Sequence, residues 1–141
     1  MNAVATTNWE AVLTPFRERR EHLAQARRRQ AQLWRGQTPD AWPICCSGKL
    51  TDQQHALLPP ADFKEAFYSS ERMLQSEVRT ALAMLNGHSD AVPSIRVNFG
   101  TGVLLSCVGL EQTVYEDKMP WLHDHLTREQ IAGMTPDDVA P

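Results

Sequence analysis

The chain has 141 residues and a formal net charge of −3, with 42% hydrophobic and 22% charged residues, the profile of an ordinary globular domain. The acidic balance argues against a general nucleic-acid binder, which needs a strong basic excess. No apolar run approaches the ~20 residues that span a bilayer, and residues 1–8 lack the basic and apolar regions of a secretory signal. Three cysteines cannot all pair internally; Cys45 and Cys46 are adjacent and Cys107 stands alone, so a cytoplasmic protein without a disulfide framework is expected.

In chain order, residues 1–7 read as a loose tail. One helix start falls near Asn8, and a better one follows at Thr14-Pro15, where Thr accepts from a free N–H and Pro has none to leave unpaired. The helix runs to Arg35, with Gly36 as its stop. Its apolar side is thin: Phe16, Leu23 and Trp34 fall together on a 3.6-residue wheel, with Arg20 and Arg27 among them. Seven of the 14 basic residues lie between Arg17 and Arg35. This reads as a peripheral helix lying on something larger, its arginines a solvated face.

Residues 42–46 read as a short buried strand, and 48–60 as a polar connection. The strongest helix is 61–86, where Phe63, Phe67, Leu74, Val78, Leu82 and Leu85 share one face and Gly87 ends it. Residues 91–99 read as a second strand, with Val92, Ile95, Val97 and Phe99 apolar. Residues 100–109 read as a glycine-punctuated turn into a short buried helix, and 112–115 as strand or extended. Thr127-Arg128-Glu129-Gln130 is a capping box that starts a helix over 127–132, and Gly133 stops it. Thr135-Pro136-Asp137-Asp138 is a further helix start close to the end at Pro141, and a truncated chain is expected.

Strand, long helix, strand and glycine-rich turn make a βαβ unit, whose working residues sit where strands end. That singles out 46–49 and 96–101. Alternation places Arg96 and Asn98 on one face, opposite Ile95 and Val97. With Thr101 they form the candidate substrate-binding set, Arg96 suiting a carboxylate or phosphate; the alternative is an Arg96 paired with an internal acid. Gly100-Thr101-Gly102 lacks the spacing of a nucleotide fingerprint. His123 and His125, two apart and near Asp124 and Asp117, read as a solvated acidic loop, and no metal site is expected. Cys45-Cys46 is not C-x-x-C; one buried structural cysteine is expected there, with Cys107 also in the core. No catalytic residue is identified.

The stretch Ala91-Val92-Pro93-Ser94-Ile95-Arg96-Val97-Asn98-Phe99-Gly100-Thr101-Gly102, then Val108-Gly109-Leu110-Glu111, then Lys118-Met119-Pro120-Trp121, resembles the uroporphyrinogen decarboxylase-like superfamily. The resemblance covers roughly residues 42–141. In that superfamily a long helix leads to an Asp-started strand, an apolar helix ending in a Gly-hydrophobic-Glu step and a Pro-containing loop. It implies an α/β fold, the N-terminal portion of a (β/α)8 TIM barrel with a helical N-terminal extension. The extension is then 1–40 and the partial barrel 41–141, and a whole barrel needs about 250 residues.

True decarboxylases of the family, acting in porphyrin and heme biosynthesis, remove carboxylates without a cofactor. Their relatives move methyl groups to or from corrinoid proteins or thiols, often with zinc. This sequence departs from the decarboxylase pattern twice. Cys45-Cys46-Ser47-Gly48-Lys49 stands where an Arg-Gln-Ala-Gly-Arg loop belongs, and no Asp falls near Val97-Asn98-Phe99-Gly100, where Asn98 is the nearest polar residue. A neutral amide cannot replace a carboxylate beside a protonated pyrrole. The expectation is therefore the N-terminal fragment of a decarboxylase-like lyase or methyltransferase, leaning to the methyltransferase-related branch and inactive as these residues alone. No cofactor is expected within the segment, with zinc or a corrinoid in a full-length parent. Expected partners are a small-molecule substrate or a corrinoid protein, a homodimer being compatible, with no membrane or nucleic acid. The alternatives are a non-catalytic partial-barrel interaction protein using residues 17–35 as its contact surface, or a true uroporphyrinogen decarboxylase.

Overall fold

Two helices, not one, open the chain in the computed structural model, which describes residues 7–100 and 102–135. The side chain of Asn8 accepts from the Ala11 N–H at 3.2 Å and starts α1, Trp9–Glu18. Thr14 therefore starts nothing; its hydroxyl donates back to the Glu10 carbonyl. Pro15 lies inside α1, where it has no N–H to give the preceding turn. The run breaks at Arg19, whose ψ of 16° leaves the helical well, and resumes as α2, Arg20–Trp34. Gly36 ends α2 as expected. It holds φ at 69°, and the Gly36→Leu33 and Gln37→Gln32 bonds, both 2.9 Å, satisfy the last carbonyls.

The strand expected at 42–46 is absent. Residues 44–48 instead run alongside the end of the long helix and the turn after it. The Asp90 N–H reaches the Ile44 carbonyl and the Gly48 N–H reaches the Ala83 carbonyl, each at 2.7 Å. The Ser89 hydroxyl both accepts from the Cys46 N–H at 3.0 Å and donates to the Cys46 carbonyl at 2.8 Å. A helix end and a turn offer scattered polar groups rather than the regular ladder that makes a strand. The approach is close enough to require glycine on both sides. A Cβ on Gly48 would stand 2.6 Å from the Asn86 carbonyl oxygen, and one on Gly87 would overlap the carbonyl of Cys46.

The polar connection hides a helix, α3, Asp52–Leu57. Thr51 and Gln54 form a complete capping box, with bonds of 3.2 and 2.9 Å. The expected helix at 61–86 is cut in two, α4 (Phe63–Tyr68) and α5 (Ser70–Asn86). The cause is Ser69. Its backbone is extended and its hydroxyl accepts from the Arg72 N–H at 3.3 Å, a local bond that competes with helix continuation.

Contacts divide the chain into two compact units. The first comprises Met1–Pro60 and Leu74–Arg96, the second Ala61–Met73 and Val97–Pro141. The first has a core of Val12, Leu58, Val78, Leu82 and Leu85, with Trp9, Phe16, Leu23, Leu50 and Leu57 packed against it. Each fully buried aliphatic side chain there contributes roughly 1.5–3 kcal/mol.

The second unit is built from short pieces: α4, α6 (Val103–Ser106), β1 (Gln112–Thr113), β2 (Trp121–Leu122) and α7 (Arg128–Gly133). β1 and β2 pair antiparallel, Gln112 opposite Leu122 and Thr113 opposite Trp121. The Phe63 N–H bonds the Glu116 carbonyl at 3.0 Å. Phe67 meets Phe99 edge-on at 5.4 Å. The expected capping box at Thr127 and Gln130 is complete. α6 is not the buried helix expected, since Val103, Leu104 and Leu105 are all exposed.

Residues 91–99 form no strand either. Among the described residues no chain segment forms a ladder with them, and Ile95 and Val97 remain 57% and 72% exposed. Among the described residues the secondary structure is therefore helix with one two-stranded antiparallel sheet and no parallel strand pair. The helix start at Thr135-Pro136 lies at the edge of and beyond the described residues. No helix among them is long and apolar enough to cross a membrane.

Candidate functional site

The polar side of α2 organises the first unit. Arg19 sends a guanidinium N–H to the Leu85 carbonyl at 2.6 Å, a cation on the last turn of α5, where the helix dipole favours it. His22 Nε2 lies 2.8 Å from the Ser89 carbonyl; a carbonyl only accepts, so this nitrogen carries the hydrogen. Gln30 bonds the Asp90 carbonyl. Arg29 is the hub. It grips Asp40 through two bonds of 2.9 and 3.1 Å and Asp90 through one of 2.9 Å. The Arg29 hydrogen bond holds the carboxyl of Asp90 below its ordinary value, with a lesser contribution from the Ile44 N–H. The same cation lowers Asp40, and the two acids raise Arg29. Part of the expected solvated arginine face is thus an internal clamp on the end of α5. Arg20, Arg27, Arg28 and Arg35 remain exposed.

A second cation braces α3. Arg79 donates to the Leu58 carbonyl and lies 3.3 Å from His55 Nδ1. Burial draws Arg79 below its ordinary value, but a guanidinium remains charged at neutral pH.

The clamp at Asp90 fixes where residues 91–96 set out. Pro93, Ser94 and Ile95 then close one side of a cavity of about 350 Å³, whose other walls include Leu13, Phe16 and Leu23, with Arg27. Ile95 faces this cavity. Arg96 is exposed and makes no hydrogen bond or ion pair among the described residues. Asn98 falls in the second unit, half-buried. Its N–H points at Met73 Sδ at 3.4 Å and its amide nitrogen at Met119 Sδ at 3.9 Å. Thr101 lies outside the described residues. The cavity was not legible beforehand, because it draws on four separated stretches of chain; the one signal was the Phe16–Leu23 stripe interrupted by Arg27.

In the second unit, the Tyr115 hydroxyl is 2.7 Å from His123 Nε2, and Lys118 Nζ sits 3.9 Å above the Tyr115 ring. His123 thus has a protein partner. No group of three or more His, Cys, Asp or Glu is placed to hold a metal among the described residues. Gln112 gives its amide to Ser106 at 2.9 Å, while its Oε1 is buried without a partner among the described residues, close by Gly100 and Gly102. Cys45 and Cys46 are both free and exposed, against the expectation that one is buried; without a strand there is no inward face to take it. Cys107 is half-buried.

No known protein family, no curated protein and no solved structure matches this chain.

Proposed function

We propose that this chain is the N-terminal part of a cytoplasmic (β/α)8-barrel enzyme of the uroporphyrinogen decarboxylase-like kind, on its methyltransferase-related branch. One observation carries the reading. Residues 91–99 are largely apolar, yet they join no sheet among the described residues, with Ile95 57% and Val97 72% exposed. A parallel barrel strand reads as an apolar run because it is bonded and covered on both sides. Such a run is left exposed when no neighbouring strand covers it. The element order adds support: a long helix α5, then Asp90, then the short apolar helix α6, then Gly109-Leu110-Glu111 and the loop at Pro120.

In this reading Arg96, Asn98 and Thr101 remain the proposed substrate-binding residues. Arg96 pairs with a substrate carboxylate or phosphate, and Asn98 offers a neutral amide where a decarboxylase needs an anion. The resemblance implies that the zinc ligands of a full-length parent lie later in the barrel. The interaction-protein alternative has less support, because Arg19, His22, Arg29 and Gln30 are engaged with the chain's own α5 end.

Reading the gene in frame beyond Pro141 tests the proposal. About six further strand–helix units are expected, the number an eightfold barrel still lacks. An immediate stop, together with one cooperative unfolding transition of both units, sinks it. On the longer protein, zinc and cobalamin binding supports the methyltransferase branch; porphyrinogen turnover with neither bound overturns it in favour of a decarboxylase.

A further inference from the structure

We infer that the cavity between α1, α2 and α5 in the first unit is a binding site for a small amphiphilic monoanion, an aliphatic or aryl carboxylate. Its tail lies among Phe16, Leu23 and Ile95 and its head at Arg27. The inference does not rest on the barrel reading.

The volume of about 350 Å³ is at the lower end of the ~300–1,000 Å³ common for small-molecule sites. Seven of the nine lining residues are apolar; the other two are Arg27 and Ser94. An apolar cavity with few polar groups selects an apolar body and reads its orientation from those groups. Arg27 supplies the sign. It makes no hydrogen bond or ion pair among the described residues. The positions three and four away along α2 are Leu23, Ala24, Gln30 and Ala31, so no acid on its own helix can reach it at the usual spacing. Arg29, two residues on, is held by Asp40 and Asp90. Arg27 is exposed, which places the charged head at the mouth and the tail inside.

The same facts choose among ligands. A neutral apolar molecule leaves Arg27 unused. A phosphate monoester brings about two negative charges at neutral pH, against one lining cation. A carboxylate matches the guanidinium fork with two parallel bonds, and the Ser94 hydroxyl can donate one more to it.

The test is a methyl-resolved NMR titration of the 141-residue chain with sodium octanoate and, separately, with 1-octanol. The signals read are Leu13, Val78 and Ile95. Saturable shifts are expected, with octanoate binding about tenfold more tightly than octanol through the charge-assisted pair. Arg27→Gln should bring octanoate down to the affinity of octanol and leave octanol unchanged, while Arg27→Lys keeps most of the difference. Ala81→Leu should weaken both ligands by narrowing the cavity. Unchanged Val12 and Leu58 methyl signals establish that each variant is folded. Equal binding of octanol and octanoate overturns the assignment, as does an Arg27→Gln chain that binds octanoate like the parent. Absence of any saturable shift at millimolar octanoate also overturns it.

Discussion

Leu82 and Leu104 are both helical leucines, and they live in different kinds of structure. Leu82 is 1% exposed at the centre of the first unit, while Leu104 is 79% exposed on α6 of the second. The first unit closes a core from α1, α3 and α5 and then locks it with polar bonds from α2. The second holds short elements by a two-residue strand pair, an aromatic edge contact and caps. Its apolar side chains stay largely outside: Val97, Leu104, Trp121 and Ile131 are all exposed. The difference teaches where stability resides. Helix propensity and caps are present in both units, but only burial against a partner surface makes a unit resist unfolding.

The largest expected effect is at the core. Leu82→Ala should cost about 2–5 kcal/mol in chemical denaturation of the first unit. Leu104→Ala should change stability by no more than about 0.5 kcal/mol. Equal losses would break the comparison, because they would mean that α6 is covered as α5 is.

Next comes the close approach of 44–48 to the end of α5. Gly87→Ala puts a Cβ into the Cys46 carbonyl, and overpacking of this kind costs about 1–3 kcal/mol. Gly36→Ala removes the left-handed residue at the end of α2, where nothing crowds the Cβ. It should cost less, about 1 kcal/mol, by backbone strain alone. A larger loss at Gly36 than at Gly87 would show that the contact is loose.

Local chemistry in the sequence was the legible part. The Gly36 stop and the Thr127 capping box are each set by a few neighbouring residues, and each is present; α1 starts at Asn8 rather than at the stronger Thr14-Pro15 signal, and after α5 it is His88, at φ 49°, and not Gly87 that takes the left-handed conformation. What failed was inference from apolar runs. Residues 42–46 and 91–99 carry strand-like composition, but a strand exists only where another segment completes its ladder, and that is a long-range fact. Ser69 cut a helix whose apolar face runs straight through it, since one hydroxyl bond outweighed periodicity. α3 was readable in principle from Thr51-Asp52-Gln53-Gln54, the same kind of signal that located α7. The candidate site was less legible still. Arg96 and Asn98 were selected by alternation along a strand that does not form, whereas the cavity is assembled from α1, α2, α5 and Ile95.

The two capping boxes sharpen the comparison further. Thr51→Ala and Thr127→Ala each remove one cap bond, an effect of about 0.5–2 kcal/mol on the helix itself. α3 carries Leu57 and Leu58 to the core, so the first substitution should appear in the denaturation midpoint of the first unit. α7 has Ile131 58% exposed, so the second should reduce amide protection in α7 and leave that midpoint unchanged. A matching global loss from Thr127→Ala would mean that α7 is coupled to a core.

The smallest effect expected is electrostatic, and it too separates the units. Asp90 and Asp40 are both held below their ordinary value near 3.8 by Arg29. A carboxyl that is more acidic folded than unfolded stabilises the fold fully above its unfolded pKa, where both states are ionised. As pH falls through the unfolded value and then the folded one, the folded state must take up a proton it resists, and the contribution disappears. Stability of the first unit should therefore decline below about pH 4, the range in which unfolded carboxylates begin to protonate. Asp90→Asn should be less stable than the parent at pH 7, with the gap closing as pH drops through this window. Salt should narrow the gap at Asp40 more than at Asp90, whose side chain is 13% exposed against 61%, since screening acts mainly on exposed pairs. Stability curves of the parent and Asp90→Asn that stay parallel from pH 7 to pH 2 would show that Arg29 does not grip Asp90 in solution, and that the end of α5 is held by the bonds of Arg19, His22, Gln30 and residues 44–49.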